Sequence, residues 1–89
     1  MKYSYPAILN KERQTVGVVF PNLWGCVSCG DSFKDAYKNA HEALALHLHG
    51  MKEDGEPFPK PSPPEDIQLK DGDILTYVVV TSDDVNFNR

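Results

Sequence analysis

Two thiols three residues apart, Cys26 and Cys29 in the stretch GCVSCGDSFKDA, are the first residues of this chain whose type and spacing could do chemistry. A C-x-x-C pair can form half of a tetrahedral zinc site or a redox centre, provided a turn or helix N-terminus brings the sulfurs together. Neither arrangement is supported by what surrounds it. No second C-x-x-C and no H-x-x-x-H follows at finger-like spacing, and Cys26 to Cys29 reads as a short strand, in which positions three apart point to opposite faces. Both cysteines are expected to pack rather than react, Cys26 as a small buried thiol. The histidines offer no better metal site: His47 and His49 fall about 200° apart on a helix and cannot share an ion, and His41 lies on its flank. Nuclease chemistry would need several carboxylates converging on a divalent ion. Asp31 and Asp35 instead bracket a helix start, where cap and dipole roles suffice, and Glu53, Asp54 and Glu56 form a solvated helix end. The expectation is a chain with no catalytic residues, no metal and no cofactor.

These residues are carried by a short series of elements. Lys2 to Leu9 alternates as a strand, with Tyr3, Tyr5, Ala7 and Leu9 on one face and Ser4 and Ile8 on the other. Asn10 to Gln14 is a polar turn, and Thr15 to Phe20, rich in β-branched residues, is the second strand of a hairpin with a loop of about five residues. Pro6 sits awkwardly in such a strand, because it offers no N–H to a ladder. Pro21 to Gly25 is a turn and Cys26 to Cys29 the third strand. Ser32 followed by Asp35 resembles a capping box, so a helix is predicted from about Phe33 to about Glu53, closed by Gly55 and Pro57. Phe33, Ala36, Tyr37, Ala40, Leu44, His47, Leu48 and Met51 share its apolar face; Lys34, Asp35, Lys38, Glu42 and His49 lie opposite. The stretch GEPFPKPSPPED carries five prolines and is stiff and extended. The final run, ILTYVVVT, is apolar on both faces and reads as a strand buried on both sides.

Strand, strand, strand, helix, strand assembles most simply as an α+β fold: a meander, then a right-handed crossover that lays the fourth strand parallel to the first. That gives a four-stranded mixed sheet of order 3-2-1-4 with one helix on one face. One helix cannot cover both faces, and an exposed apolar face or edge marks an assembly surface. Self-association as a homodimer or higher homo-oligomer, through the exposed sheet or its last strand with Tyr77, Val78, Val79 and Val80, is therefore expected.

Composition bounds the function class. The 89 residues suffice for one small domain, residues 1–81, followed by a short tail, residues 82–89; 40% apolar residues and nine aromatics argue for a packed core. No apolar run is long enough to span a bilayer and the N-terminus lacks a signal-peptide pattern, so a cytoplasmic protein is expected. Nine basic against thirteen acidic residues, a formal charge of -4, provide no footprint for a nucleic-acid backbone and favour encounter with a basic partner.

The phrases YPAIL, VVFPNLWGCVSCGDSFKDAYKNAHEAL, EDGEPFPKPS and PEDIQLKDGD, in this order and at these separations, resemble the HicB family of antitoxins. The resemblance runs from about Tyr5 to the last strand. It implies a β-β-β-α-β domain, a truncated relative of the RNase H fold, and a partner: HicB proteins bind HicA toxins, small basic ribonucleases, and cover their catalytic face. Many members also carry a C-terminal DNA-binding domain; after Thr81 only SDDVNFNR remains here, so operator binding is not implied. The sequence has Asn22 where the family usually has Asp, Trp24 where Pro is frequent and Cys29 where a polar residue is common. For toxin binding the resemblance points to Asn22, Trp24, Asp31, Asp35 and Leu46. Leu46 falls on the polar side of the helix. Trp24, in a turn, is expected to fold back over the helix; projecting outward, it would be an aromatic anchor whose acidic neighbours Asp31 and Asp35 meet a basic toxin surface. The competing reading is a stand-alone homo-oligomeric binding module without a toxin partner.

Overall fold

The computed structural model describes residues 1–87. Its elements are β1 (Lys2–Glu12), β2 (Thr15–Val19), β3 (Val27–Gly30), α1 (Phe33–Glu53), a 3-10 turn (Pro64–Asp66), β4 (Asp73–Thr81) and α2 (Ser82–Phe87). The sheet order is β3-β2-β1-β4, as the sequence implies. The fourth strand runs antiparallel to the first, Lys2 opposite Thr81 and Asn10 opposite Asp73, so the sheet is wholly antiparallel and not mixed. The reason lies in the connection. α1 starts where β3 ends, beside the β1–β2 hairpin, and runs the length of the sheet; residues 54–72 then retrace that length, so that β4 begins next to Asn10. The crossover rule assumes that a helix delivers its chain directly to the next strand, whereas here the proline-rich segment makes one more pass.

The hairpin is tighter than its polar sequence suggests. Glu12 pairs with Thr15, leaving only Arg13 and Gln14 as the loop, with Arg13 at φ 58. Pro6 is accommodated for a geometric reason. The Ser82 N–H donates to the Met1 carbonyl, which puts the odd-numbered residues of β1 in hydrogen-bonded register with β4 and turns the even-numbered ones toward β2. β2 has already ended opposite Ile8, so the missing N–H of Pro6 costs no ladder bond.

One face of the sheet carries the core. Tyr5, Ala7 and Leu9 of β1, Val16 and Val18 of β2 and Val78 and Val80 of β4 are buried against Ala36, Ala40, Leu44, Ala45 and Leu48 of α1. Ser32 caps the helix, its Oγ accepting from the Asp35 N–H at 3.1 Å. The helix approaches β3 closely because small residues meet there: a Cβ built on Gly30 would lie 2.4 Å from the backbone nitrogen of Ala36. β4 is an edge strand rather than one buried on both sides. Val78 and Val80 are fully buried, whereas Ile74 and Val79 are 47% and 41% exposed.

Residues 82–87 are not a tail. Thr81 and Asp84 form a reciprocal cap, the Asp84 N–H donating to Thr81 Oγ1 at 3.1 Å and the Thr81 N–H to Asp84 Oδ2 at 2.8 Å. α2 lies against α1, with Val85 buried in the core, His41 Nε2 3.7 Å from Asp84 Oδ2, His49 Nδ1 donating to the Val85 carbonyl at 2.7 Å and Lys52 bonded to Asn86. His49, expected on the solvent side, is covered by this helix.

Two glycines give opposite expectations. Gly30→Ala forces Cβ into the α1 backbone and destabilises the fold by about 2–3 kcal/mol. Gly50→Ala, in α1 with open space around it, stabilises by up to about 1 kcal/mol. Urea unfolding of the two variants beside the parent chain checks both signs.

Candidate functional site

The loop between β2 and β3 is a compact hydrogen-bonded turn. The Phe20 N–H donates to the Cys26 carbonyl at 3.1 Å, the Leu23 N–H to Phe20 at 3.0 Å and the Cys26 N–H to Leu23 at 3.0 Å. Phe20, Leu23 and Cys26 sink into the core, and Gly25, at φ 84, reverses the chain between them. Trp24 is left pointing out: it is 97% exposed, contrary to the expectation that it folds back over α1. With the turn anchored by Phe20, Leu23 and Cys26, the indole is left outside the core.

Trp24 stands at the edge of a shallow groove of about 470 Å³, which it shares with Leu46, His47, Gly50 and Met51 of α1. Leu46 is 53% exposed, as its helical position requires. Asp54, Glu56 and Pro59 complete the rim, so the carboxylates beside the indole come from the end of α1. Asp31 and Asp35, expected to surround Trp24, are exposed at the opposite end of the helix, with about 16 Å of helical rise between Asp35 and Leu46. Asn22 is engaged within the chain: its Nδ2 donates to Ser62 Oγ at 2.9 Å and its Oδ1 accepts from the Ser62 N–H at 3.0 Å. Its observed role is to pin the proline-rich segment, and the structure brings together only Trp24 and Leu46 as exposed apolar groups of the expected set.

The same segment is held at other points. Tyr5 donates its hydroxyl to the Pro59 carbonyl and Tyr77 to that of Ser62, both at 2.5 Å, and Phe58 packs edge-on against Tyr3 with centroids 5.2 Å apart. Tyr5 and Tyr77 project from opposite faces of the sheet. The segment is thus fixed from the helix layer across to the open face, and Pro59 on the groove rim is held by the Tyr5 hydroxyl. Asp54 and Glu56 were legible only as part of a solvated helix end and Pro59 only as part of a stiff segment; Trp24 and Leu46 were the candidates the sequence offered for this surface.

The thiols diverge as strand geometry demands. Cys26 is buried, its Sγ 3.8 Å from the Ala43 carbonyl, and Cys29 is exposed. Burial pushes the Cys26 thiol up to about 11. Asp84 is held below the usual carboxylate range, first by the Thr81 N–H and also by the Thr81 hydroxyl and His41. Among the described residues, no three His, Cys, Asp or Glu side chains converge closely enough to hold a metal ion, and no helix is long and apolar enough to cross a membrane.

The fold and this surface define a small antiparallel α+β domain, a four-stranded sheet of order β3-β2-β1-β4 covered on one face by α1. Comparison with known proteins places it further. The sequence profile of the HicB-like antitoxins of bacterial toxin–antitoxin systems matches residues 5–87, and the chain belongs to that family. It is 36% identical over 74 residues to a UPF0150 protein of Synechocystis, covering 82% of this chain and 89% of that one. It is 41% identical over 61 residues to an uncharacterised protein of Haemophilus phage HP1, covering 68% of this chain and only 46% of that one, so it spans less than half of that relative. Among solved structures, the N-terminal domain of the Burkholderia pseudomallei antitoxin HicB superposes with a TM-score of 0.74 at 29% identity, covering 89% of this chain and 99% of that one. A chain of a HicA3 and HicB3 toxin–antitoxin complex superposes with a TM-score of 0.69 at 32% identity, covering 85% and 95%.

Alkylation separates the two thiols. Iodoacetamide at pH 8 is expected to label Cys29 in the folded chain and to spare Cys26 until denaturant is added, which peptide mass mapping reads directly. Because folding raises the Cys26 pKa from 9.0 to about 11, its contribution to stability is complete below pH 9 and is lost as pH rises toward 11.

Proposed function

We propose that this chain neutralises a HicA-type ribonuclease by binding it and covering its active face, with the Trp24–Leu46 groove as the centre of the contact. The observation that carries this reading is the indole itself. A tryptophan exposed over 97% of its surface, next to an exposed leucine, has no structural role within the fold. Buried aromatic anchors of this kind supply most of the energy of protein interfaces. The acidic rim of Asp54 and Glu56 and the net charge of -4 complement a small basic toxin and would speed its encounter. Membership of the antitoxin family and likeness to a chain of a HicA3–HicB3 complex support the partner class.

Inhibition of this kind is steric and needs neither cofactor nor catalytic residue. Asp31 and Asp35 belong to the contact only if the toxin's footprint continues along α1, a distance that an interface of about 800 Å² per partner can span. Asn22 contributes indirectly, by holding the segment that carries Pro59.

Titration of this chain against a HicA-type ribonuclease, with RNA cleavage as the readout, tests the reading. Stoichiometric loss of cleavage is expected, with Trp24→Ala weakening binding by about 2 kcal/mol, or roughly thirtyfold, and Leu46→Ala by less. Undiminished cleavage at saturating protein refutes it.

A further inference from the structure

The groove at Trp24 combines a gap, an aromatic face and two charges. Leu46 and Gly50 of α1 and its cap residue Asp54 are spaced four apart, so they form one row along the helix surface: an apolar side chain, a bare position and a carboxylate. The bare position is open to solvent, since a Cβ built on Gly50 meets nothing within 4 Å. His47, Met51 and the loop bearing Trp24 line the rest, and an indole exposed over 97% of its surface has both faces free. Asp54 and Glu56 stand at the far end of the row. Among the described residues neither carboxylate has an ion-pair or hydrogen-bond partner. Lys52, the basic residue of the last turn, is drawn away from them to Asn86 on α2. The negative end of the α1 dipole falls at the same place and adds to the two charges.

We propose that this groove is a slot for one arginine side chain of the partner protein. Its aliphatic stem lies across Gly50, between Leu46 and Met51, and its guanidinium rests on the Trp24 indole within reach of Asp54 and Glu56. That the partner is a toxin rests on the reading above; the chemistry of the slot rests on the groove alone. Length fits first: the rise of about 6 Å from Gly50 to Asp54 is covered by three methylenes and a guanidinium. An aliphatic or aromatic anchor would fill the gap but leave two carboxylates desolvated and unpaired, which is costly. A lysine ammonium would pair with one of them, yet it is compact and strongly hydrated. The guanidinium is planar and weakly hydrated, stacks on an indole and donates in a fork to carboxylates. An aromatic face beside two unpaired acids therefore selects a group that is cationic, flat and forked.

Trp24 is the single tryptophan of the chain, so its fluorescence reads the slot directly. Hexa-arginine amide, titrated into the full chain at about 20 mM salt, is expected to change that emission saturably. Gly50→Leu fills the gap without removing a charge and is expected to weaken binding at least about fivefold. Asp54→Asn/Glu56→Gln is expected to weaken it at least about tenfold, both variants keeping the parent circular dichroism spectrum. Glu12→Gln/Asp71→Asn removes the same charge from exposed positions at the hairpin end of the sheet and is expected to change affinity less than about twofold. Hexa-lysine amide is expected to bind at least about threefold more weakly than hexa-arginine amide. An emission that does not respond overturns the proposal, as does either groove variant binding like the parent, a hairpin-end variant losing as much as the Asp54 and Glu56 pair, or hexa-lysine binding as tightly as hexa-arginine. RNA cleavage enters none of these measurements, so the slot can fail while the toxin reading stands, and the reverse.

Discussion

One 21-residue helix can seal one face of a four-stranded sheet and no more, and the rest of this molecule follows from that limit. The seal is close because it is made of small residues. Gly30 leaves the space that the first turn of α1 occupies, and Ala36 and Ala40 are fully buried against the strands. Larger side chains fill the remaining distance, Leu44 and Leu48 beneath the helix and Phe20 from the loop. α2 extends the layer with Val85. The apolar groups left outside, among them Trp24, Leu46, Val19, Val27 and Val79, are those the single layer cannot reach.

The proline-rich segment is the second structural device. It decides the direction of β4, fills the space beside the part of β1 that outruns β2, and is tied down by Tyr5, Asn22 and Tyr77. Proline restricts the unfolded chain, so ordering this long connection costs less backbone entropy than a flexible one would. It also separates the molecule's two exposed features, the groove at the end of α1 and the edge of β4.

How much of this was legible in the residues varies from element to element, for physical reasons. α1 and its cap could be read because amphipathic periodicity and the Ser32–Asp35 pattern are local properties. The divergence of Cys26 and Cys29 followed from strand geometry alone. The orientation of β4 was not legible, because alternation looks the same in either direction and only the path of residues 54–72 distinguishes them. α2 carried a local sign, the Thr81–Asp84 cap, but its six residues gain stability only from packing against α1, which no local pattern reports. The family motifs pointed to a partner, and with it to Asn22, Asp31 and Asp35, yet motif proximity is proximity along the chain; the fold spends Asn22 on Ser62 and leaves the two acids far from Trp24.

By itself, then, the sequence determined the four strands and α1, their order in the sheet, the face that forms the core and the family, since each depends on side-chain character at short range. Tertiary structure alone decided which exposed groups share a surface and which strand edge stays open. Those outcomes depend on where the connections run and what they cover, and the same residues, joined by a different path, would have presented a different surface.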